Sequence, residues 1–328
     1  MLRLDHVSKS FGLGAFGSRS FLAVDDVSLR VAPGEVVSLI GESGSGKSTI
    51  GKMILRLLPV SSGSITFQGE DVSTHTGKAL KAYYRRVQGV FQDPFSSYNP
   101  IFTVDHALDL VRREYLGDLS GQEWRRRLTS VLETVSINAG EVLGKYPHQL
   151  SGGQLQRLLI ARALMLDLRF LVADEIISML DASTRIDVLN LLGDLKTRGL
   201  GILFITHDLS LGNYISDRTV ILRHGAVVEM GATGLVFGNP CHPYTRALLS
   251  AVPQLHARWG AAPEQQAPPV PGGSAPGRQA PGTPGATTTA VPPAGLVATV
   301  ERSRTAPGRR AALVEIEDDH FVAPTGNG

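Results

Sequence analysis

Cysteine and long apolar runs are scarce in this chain. Cys241 is the only cysteine among the 328 residues, which excludes a disulfide scaffold, a zinc site built from several cysteines and an iron–sulfur cluster held by cysteines alone. No stretch approaches the run of about 18 uncharged apolar residues that a membrane-spanning helix needs, so we exclude an integral membrane protein. The first residues, Met1 to His6, lack the basic and then apolar order of a secretory signal.

An excess of charge of either sign is lacking too. The chain has 32 lysines and arginines against 30 aspartates and glutamates, which leaves a net charge of +2. That balance argues against a dedicated nucleic-acid binder, because such proteins carry a strong basic footprint. A hydrophobic fraction of 42% with 19% charged residues is typical of a globular protein. The length predicts about two domains at roughly 150 residues each.

Proline divides the chain into three parts. Ten of the 19 prolines lie between positions 261 and 310, in a stretch without apolar periodicity that cannot bury enough surface to fold. We therefore predict a body over residues 1–253, a disordered linker over 254–310 and a short segment over 311–328. The alternation from Ala311 to Glu317 indicates a terminal strand in that last segment.

Alternating strand and helix patterns predict an α/β body. Buried strands are expected at Glu35–Ile40, Val87–Phe91, Arg169–Ala173 and Leu200–Thr206, and antiparallel additions at Gly63–Gln68 and Val220–Glu229. Helical patterns occur at Ser48–Leu58, Val104–Tyr115 and Gln122–Val135. Because roughly 75 residues with helix-like patterns lie between the Val87 and Arg169 strands, we predict a helical subdomain over about 95–165 that interrupts the sheet.

A glycine-rich loop follows the first buried strand and opens a helix. Its sequence matches G-x-x-x-x-G-K-[ST], in which glycines turn backbone N–H groups toward phosphate oxygens and the helix start favours negative charge. We expect Lys47 to reach the β- and γ-phosphates and Ser48 to ligate Mg²⁺. The candidate nucleotide-binding residues of this phosphate loop are Gly41, Glu42, Ser43, Gly44, Ser45, Gly46, Lys47, Ser48 and Thr49.

A second acidic element follows the strand that begins at Arg169. Asp174 ends this apolar run, so its carboxylate is expected at the carboxyl edge of the sheet, where it can hold Mg²⁺ through water. Glu175 comes next and can polarise an attacking water.

A third element, Ser151-Gly152-Gly153-Gln154, precedes a good helix and could bind an anion at the helix start. Together with the phosphate loop and the Asp-Glu strand, in this order, it closely resembles the nucleotide-binding subunits of ABC transporters over about residues 1–253. The resemblance implies an ABC-type P-loop ATPase core with an antiparallel β subdomain and an inserted helical subdomain. It also implies ATP and Mg²⁺ as ligands, and a site in which this element of one subunit closes over the γ-phosphate held by the other.

The resemblance extends to single residues. Gln92 resembles the glutamine that touches Mg²⁺, and His207 the switch histidine that contacts the γ-phosphate. Asp181, in the loop Ser178 to Asp181, resembles a residue that crosses the dimer interface. Phe11 resembles the aromatic that stacks on adenine, with Phe16 and Phe21 as rivals. The implied roles are catalytic for Glu175, His207 and Lys47, and metal-binding for Ser48, Gln92 and Asp174.

The sequence departs from the family after the catalytic glutamate. Ile176 and Ile177 stand where relatives usually have Pro and then Thr or Val, and the loss of proline relaxes the backbone there. This puts the placement of Glu175 and of the Ser178 loop in question, while the chemistry of Asp174, Glu175, Asp181 and His207 is retained. We therefore expect a competent half-site.

The segment from Asn239 to Pro253 identifies a branch of the family. Its His242-Pro243-Tyr244 resembles the oligopeptide and dipeptide importer ATPases, a group that also serves nickel and some oligosaccharide systems. Physically it predicts a proline-started amphipathic helix from Tyr244 to Val252 with a structural role. Importers of this branch usually carry two different ATPase subunits. The stretches Val87–Pro100 and Arg246–Ser250 resemble the second of the two. With one cysteine, the iron–sulfur cluster of many relatives should be absent, and His320 is expected to be a solvated tail residue.

The implied function is ATP hydrolysis that powers a peptide importer at the cytoplasmic face of the inner membrane, as a peripheral subunit. Its implied partners are a second, non-identical ATPase subunit, two transmembrane permease subunits and, indirectly, an extracytoplasmic substrate-binding protein. The same role in nickel or oligosaccharide import stays open. So do a soluble ABC ATPase without transport and a nucleotide-dependent scaffold without turnover. Because the predicted phosphate contacts all lie before Leu209, removal of the tail after about Ala261 should leave fold and ATP binding intact. The competing expectation is that Leu313 to Phe321 pairs as a strand with the body or with the partner subunit, so that the tail is part of the fold.

Overall fold

The computed structural model describes residues 1–13, 19–251 and 313–324. The predicted linker, residues 254–310, lies outside these ranges. Within them the strands are β1 (Leu2–Leu13), β2 (Arg19–Val31), β3 (Val36–Ile40), β4 (Ser62–Phe67), β5 (Glu70–Asp71), β6 (Val87–Val90), β7 (Phe170–Asp174), β8 (Gly201–Thr206), β9 (Arg218–Arg223), β10 (Ala226–Ala232), β11 (Val314–Glu317) and β12 (His320–Val322).

The α-helices of the described ranges follow the strands in alternation over much of the chain. They are α1 (Lys47–Ile54), α2 (Gly77–Arg86), α3 (Val104–Tyr115), α4 (Gly121–Thr134), α5 (Ala139–Val142), α6 (Gly152–Leu164), α7 (Ala182–Thr197), α8 (Leu209–Ile215), α9 (Thr233–Gly238) and α10 (Pro243–Ser250). Among the described residues, no helix is both long and apolar enough to cross a bilayer.

The larger sheet has eight strands in the order β11-β12-β10-β9-β3-β8-β7-β6. Strands β3, β7 and β8 are buried at every position, which explains their continuous apolar runs. These three strands, with β6 and β9, pair in parallel, so their carboxyl ends meet at one edge. One prediction was wrong: β9 is not an antiparallel addition, because it pairs in parallel with β3 and only its partner β10 runs antiparallel.

The smaller sheet is antiparallel, with the order β2-β1-β4-β5. The predicted strand at Gly63–Gln68 corresponds to β4, whereas the long pair β1 and β2 was not predicted from the apolar pattern. Both sheets contribute to one apolar cluster, in which Leu4 and Ile65 from the smaller sheet pack with Leu39 and Leu203 from the larger one. This packing holds β2 beside the phosphate loop.

Helices α3 to α6 lie in the chain between β6 and β7, at the place predicted for helices. Trp124 and Leu108 pack with Met165 in a small apolar cluster of this region. The start of α4 is fixed by a capping box, in which Ser120 accepts from the backbone N–H of Glu123 and the Glu123 carboxylate accepts from the N–H of Ser120. Local sequence therefore determines where this helix begins.

The C-terminal hairpin, β11 and β12, extends the larger sheet. Strand β12 pairs antiparallel with β10, where Gly231 faces His320. A Cβ at Gly231 would lie 2.5 Å from the carbonyl oxygen of Asp319, so glycine permits this close approach. The predicted terminal strand is confirmed, but the expectation for His320 was wrong, because its side chain is fully buried. Truncation after Ala261 would remove this pair of strands from the sheet.

Candidate active site

The phosphate loop is positioned by β3 before it and α1 after it. Gly44 and Gly46 have φ of 81° and 100°, a region that glycine adopts without strain. A Cβ at Gly46 would also lie 2.5 Å from the carbonyl oxygen of Ala23 in β2. The first amides of α1 belong to residues 47–49 and have no carbonyl partner within the helix, so they are available to an anion.

Lys47 begins α1, and its side chain folds back onto the loop that precedes it. Its ammonium donates to the carbonyl oxygens of Gly41, at 2.7 Å, and Glu42, at 2.8 Å. Burial lowers the pKa of Lys47, and the nearby carboxylates of Glu175, Asp174 and Glu42 oppose that shift. Two backbone carbonyls of the loop therefore hold the Lys47 ammonium in place.

Two of the three predicted metal residues, Ser48 and Asp174, are in direct contact. The Ser48 hydroxyl donates to Oδ1 of Asp174 at 3.2 Å. Burial raises the pKa of Asp174, and the hydrogen bond from Ser48 opposes that shift. Gln92, exposed, follows β6 by two residues, and β6 pairs in parallel with the strand that ends at Asp174. Hydroxyl, carboxylate and amide oxygens at one sheet edge are the ligand types that suit Mg²⁺.

Glu175 and His207 form the second contact of the site. Nδ1 of His207 lies 3.2 Å from Oε1 of Glu175. The backbone of Glu175 has φ of 51° and its N–H donates to the carbonyl oxygen of Ile205 at 2.9 Å, so β8 fixes the residue that follows β7. The Glu175 side chain is 20% exposed and that of His207 60%, which leaves the pair accessible to water.

The two isoleucines that replace the family's usual residues are buried in the core. Ile176 and Ile177 are 1% and 2% exposed and pack in the same apolar cluster as Leu180. The backbone N–H and the hydroxyl of Ser178 both donate to the carbonyl oxygen of Glu175, at 3.1 and 2.9 Å. Apolar packing and these hydrogen bonds hold the turn that follows Glu175.

The elements predicted to face a partner lie side by side. Ser151 caps α6 in a capping box with Gln154. A Cβ at Gly153 would lie 2.5 Å from the Thr184 methyl, so glycine lets α6 approach α7. Thr184 in turn donates to the Asp181 carboxylate at 2.8 Å, and the hydrogen bonds from Ser183 and Thr184 hold the pKa of Asp181 well below its usual range.

Gly152 and the candidate adenine-stacking aromatics are the predicted site residues still to be placed. A Cβ at Gly152 would lie 3.8 Å from Leu180, which places this glycine beside the loop that follows Glu175. Phe11 is partly buried in β1 opposite Phe21, and the Lys9 ammonium lies 5.2 Å from the centre of the Phe11 ring. Phe16 lies outside the described residues, so the adenine partner stays a prediction.

One contact of the phosphate loop was not predicted from the sequence. The backbone N–H of Glu42 donates to the Tyr244 hydroxyl at 3.2 Å. Tyr244 stands in the first turn of α10, which His242 caps through Nδ1, and its ring stacks 4.9 Å from the Arg223 guanidinium. The sequence predicts only a structural role for the helix that begins with the His-Pro-Tyr segment. No periodicity in the sequence could show that its tyrosine reaches the loop.

The sequence profile of the ABC transporter family matches residues 24–178, and that of the oligopeptide/dipeptide transporter C-terminal region matches residues 228–276. The oligopeptide transport ATP-binding protein OppF of Bacillus subtilis is 44% identical over 233 residues, covering 70% of this chain and 76% of the relative. The chain belongs to the ATP-binding proteins of ABC transporters. AmiF of Streptococcus pneumoniae, another oligopeptide transport ATP-binding protein, is 42% identical over 77% of this chain and 82% of its own length.

Solved structures place the chain in the same family. A dimeric ATP-binding cassette in a post-hydrolysis state, bound to ADP and phosphate, is 29% identical with a TM-score of 0.64 and covers 71% of this chain and 99% of its own. The structure of cbiO1 of Clostridium perfringens, part of the ABC transporter complex cbiONQ, is 25% identical with a TM-score of 0.63 and covers 73% of this chain and 90% of its own. The phosphate loop, the Asp-Glu strand and the His207 strand therefore belong to an ABC-type P-loop core.

The contact between Tyr244 and the phosphate loop predicts an effect on nucleotide affinity. Tyr244→Phe keeps the ring on Arg223 and removes the acceptor of the Glu42 N–H, at a net cost of about 1 kcal/mol. We expect ATP affinity, titrated calorimetrically, to fall about fivefold. Tyr214→Phe, which removes an exposed hydroxyl bonded to Asn190, is the matched control and should leave affinity unchanged. Equal affinity in both variants would show that Tyr244 does not support the loop.

Proposed function

We propose that this chain hydrolyses ATP to power a peptide importer, as the ATPase subunit that provides a half-site for a second ATPase. Two contacts carry the ATPase part of the proposal. The Ser48 hydroxyl contacts the Asp174 carboxylate, and the His207 ring contacts the Glu175 carboxylate. The peptide part rests on the match of residues 228–276 to the oligopeptide/dipeptide transporter region and on the names of the similar relatives.

The phosphate loop supplies the binding of the nucleotide. Amides at the start of α1 and the Lys47 ammonium present positive charge where the β- and γ-phosphates would lie. Ser48 and Asp174, with Gln92 at the same edge, would hold Mg²⁺ by oxygen ligands. When bound, Mg²⁺ supplies charge neutralisation at the phosphate oxygens.

Glu175 and His207 supply the proton chemistry. The Glu175 carboxylate accepts a hydrogen bond from the attacking water and takes its proton as the water oxygen bonds to the γ-phosphorus. The bond from the γ-phosphorus to the β–γ bridging oxygen breaks, and ADP leaves. His207 Nδ1, 3.2 Å from Oε1 of Glu175, orients that carboxylate, and the exposed ring can contact the phosphoryl oxygens. The fixed backbone of Glu175 reduces the motion needed to reach this geometry.

The patch formed by Ser151–Gly153 and the start of α7 would serve the partner's nucleotide. The packing of Gly153 against Thr184 keeps the Ser151 hydroxyl and the Asp181 helix start on one surface. We propose a second, non-identical ATPase subunit as its partner, so that each chain completes the other's site. Binding of ATP then closes the pair, because the γ-phosphate is contacted from both sides.

The membrane assignment follows from the transporter names of the relatives. We propose two transmembrane permease subunits as direct partners and an extracytoplasmic binding protein as an indirect one, with this chain peripheral on the cytoplasmic face. The same machinery would serve nickel or oligosaccharide import. A soluble ABC ATPase without transport is disfavoured because the 228–276 match is to a transporter region.

Replacement of the base tests catalysis directly. Glu175→Gln keeps the size of the side chain and removes proton acceptance, so turnover of the assembled complex should fall about 10²- to 10⁴-fold while ATP binding is kept. Glu70→Gln, at an exposed carboxylate on the smaller sheet, is the control and should hydrolyse normally. Near-normal hydrolysis by Glu175→Gln would contradict the assignment of Glu175 as the base, whereas a wild-type complex that does not hydrolyse ATP would favour a scaffold without turnover.

The half-site proposal predicts dependence on a partner. The isolated chain should be a poor ATPase and should gain activity when mixed with the second ATPase subunit, with a maximum at equal amounts. Steady-state turnover against the mixing ratio measures this, with sedimentation to report the assembly. Full activity from a strictly monomeric chain would refute the composite site.

A further inference from the structure

Three side chains with metal-binding groups meet away from the phosphate loop. Glu229 lies in β10, Cys241 just before α10, and His320 in β12, and their ligand atoms lie within 4.8 Å of one another. Glu229 and His320 are fully buried, while Cys241 is partly exposed. The fold therefore collects a carboxylate, a thiol and an imidazole from three separate segments.

The carboxylate of this cluster is held in a fixed orientation. Oε1 of Glu229 accepts from the backbone N–H of Cys241 at 2.9 Å, and Oε2 accepts from the N–H of His242 at 3.0 Å. Nε2 of His320 lies 2.8 Å from the same Oε1. Backbone hydrogen bonds of this kind orient the carboxylate ligand of a metal and are kept when the metal binds.

The histidine is bound to the cluster on one side only. Nδ1 of His320 is buried, and in the described part of the chain it has no hydrogen-bond partner. A buried polar atom without a partner is costly in a purely structural histidine. In the described residues, the polar contact of the ring is made through Nε2, the atom that faces Glu229.

We propose that Glu229, Cys241 and His320 bind a zinc ion. Thiolate, imidazole and carboxylate together select Zn²⁺ among the common divalent ions, whereas Mg²⁺ prefers oxygen ligands alone. Tetrahedral zinc holds such ligand atoms about 3.3 to 3.6 Å apart. The 2.8 Å pair of His320 Nε2 and Glu229 Oε1 therefore opens by about 0.5 Å on binding, and the widest pair, within 4.8 Å, closes by about 1 Å. The partly exposed side of Cys241 gives the ion its entry and leaves the fourth position to water.

Such an ion would tie the C-terminal hairpin to the core. It joins β12 to β10 and to the residue that precedes the His242 cap of α10, the helix that brings Tyr244 to the phosphate loop. Zinc should therefore stabilise the folded chain without taking part in hydrolysis. This site uses none of the residues assigned to ATP, so its failure and that of the ATPase assignment are distinguishable.

Cobalt provides the test, because Cys241 is the only cysteine in the chain. The full chain, stripped with chelator and free of nucleotide, is titrated with Co²⁺, and a thiolate-to-cobalt charge-transfer band can then arise only from Cys241. We expect one equivalent to bind with this band, and Zn²⁺ to abolish it by competition. At Zn²⁺ concentrations 100-fold above Kd, the thermal midpoint should rise by about 5 °C.

Three variants locate the site. His320→Gln and Glu229→Gln should weaken cobalt binding at least about 100-fold, and Cys241→Ser should remove the band. His224→Gln, in the exposed turn between β9 and β10, is the control and should keep both band and affinity. Absence of the band in the wild-type chain at millimolar Co²⁺ would overturn the proposal, and so would an unchanged band and affinity in a folded His320→Gln.

Discussion

The hydrogen bond between the Ser48 hydroxyl and the Asp174 carboxylate joins the two halves of the nucleotide site. Ser48 belongs to the helix after β3, and Asp174 ends β7, with β8 between these strands. The contact therefore requires three parallel strands in register. Strand β8 contributes more than spacing, since the carbonyl of Ile205 holds the N–H of Glu175 and His207 follows the strand's last residue. One edge of one sheet therefore positions the phosphate loop, the proposed metal ligands and the proposed base.

The C-terminal elements support this edge from the side. Glu229 holds the backbone that begins α10, and α10 places the Tyr244 hydroxyl against the Glu42 N–H of the phosphate loop. His320 from the C-terminal hairpin contacts the same glutamate. The proposed zinc site lies at that junction. The C-terminal region of this chain is thus connected to the phosphate loop by hydrogen bonds, and the C-terminal hairpin and the phosphate loop belong to one folded unit.

The sequence predicted the features that depend on residues close together in the chain. Continuous apolar runs identified β3, β7 and β8, and the spacing in the glycine loop identified the start of α1, because both signals are local. The pairing of β9 with β3 and the burial of His320 depend on residues far apart in the chain, so a one-strand pattern could not reveal them. The Tyr244 contact is of the same kind. The Phe11 and Ser151 roles depend on ligand and partner and stay predictions.

The central claim is that Ser48 and Asp174 together hold the magnesium of a bound nucleotide. Calorimetric titration of ATP with and without Mg²⁺, on the wild-type chain and on Asp174→Asn, measures this most directly, with the exposed Asp167→Asn as control. We predict that Mg²⁺ raises ATP affinity in the wild-type and control proteins and that Asp174→Asn loses about tenfold or more of this enhancement. The same magnesium enhancement in all three proteins would contradict the account.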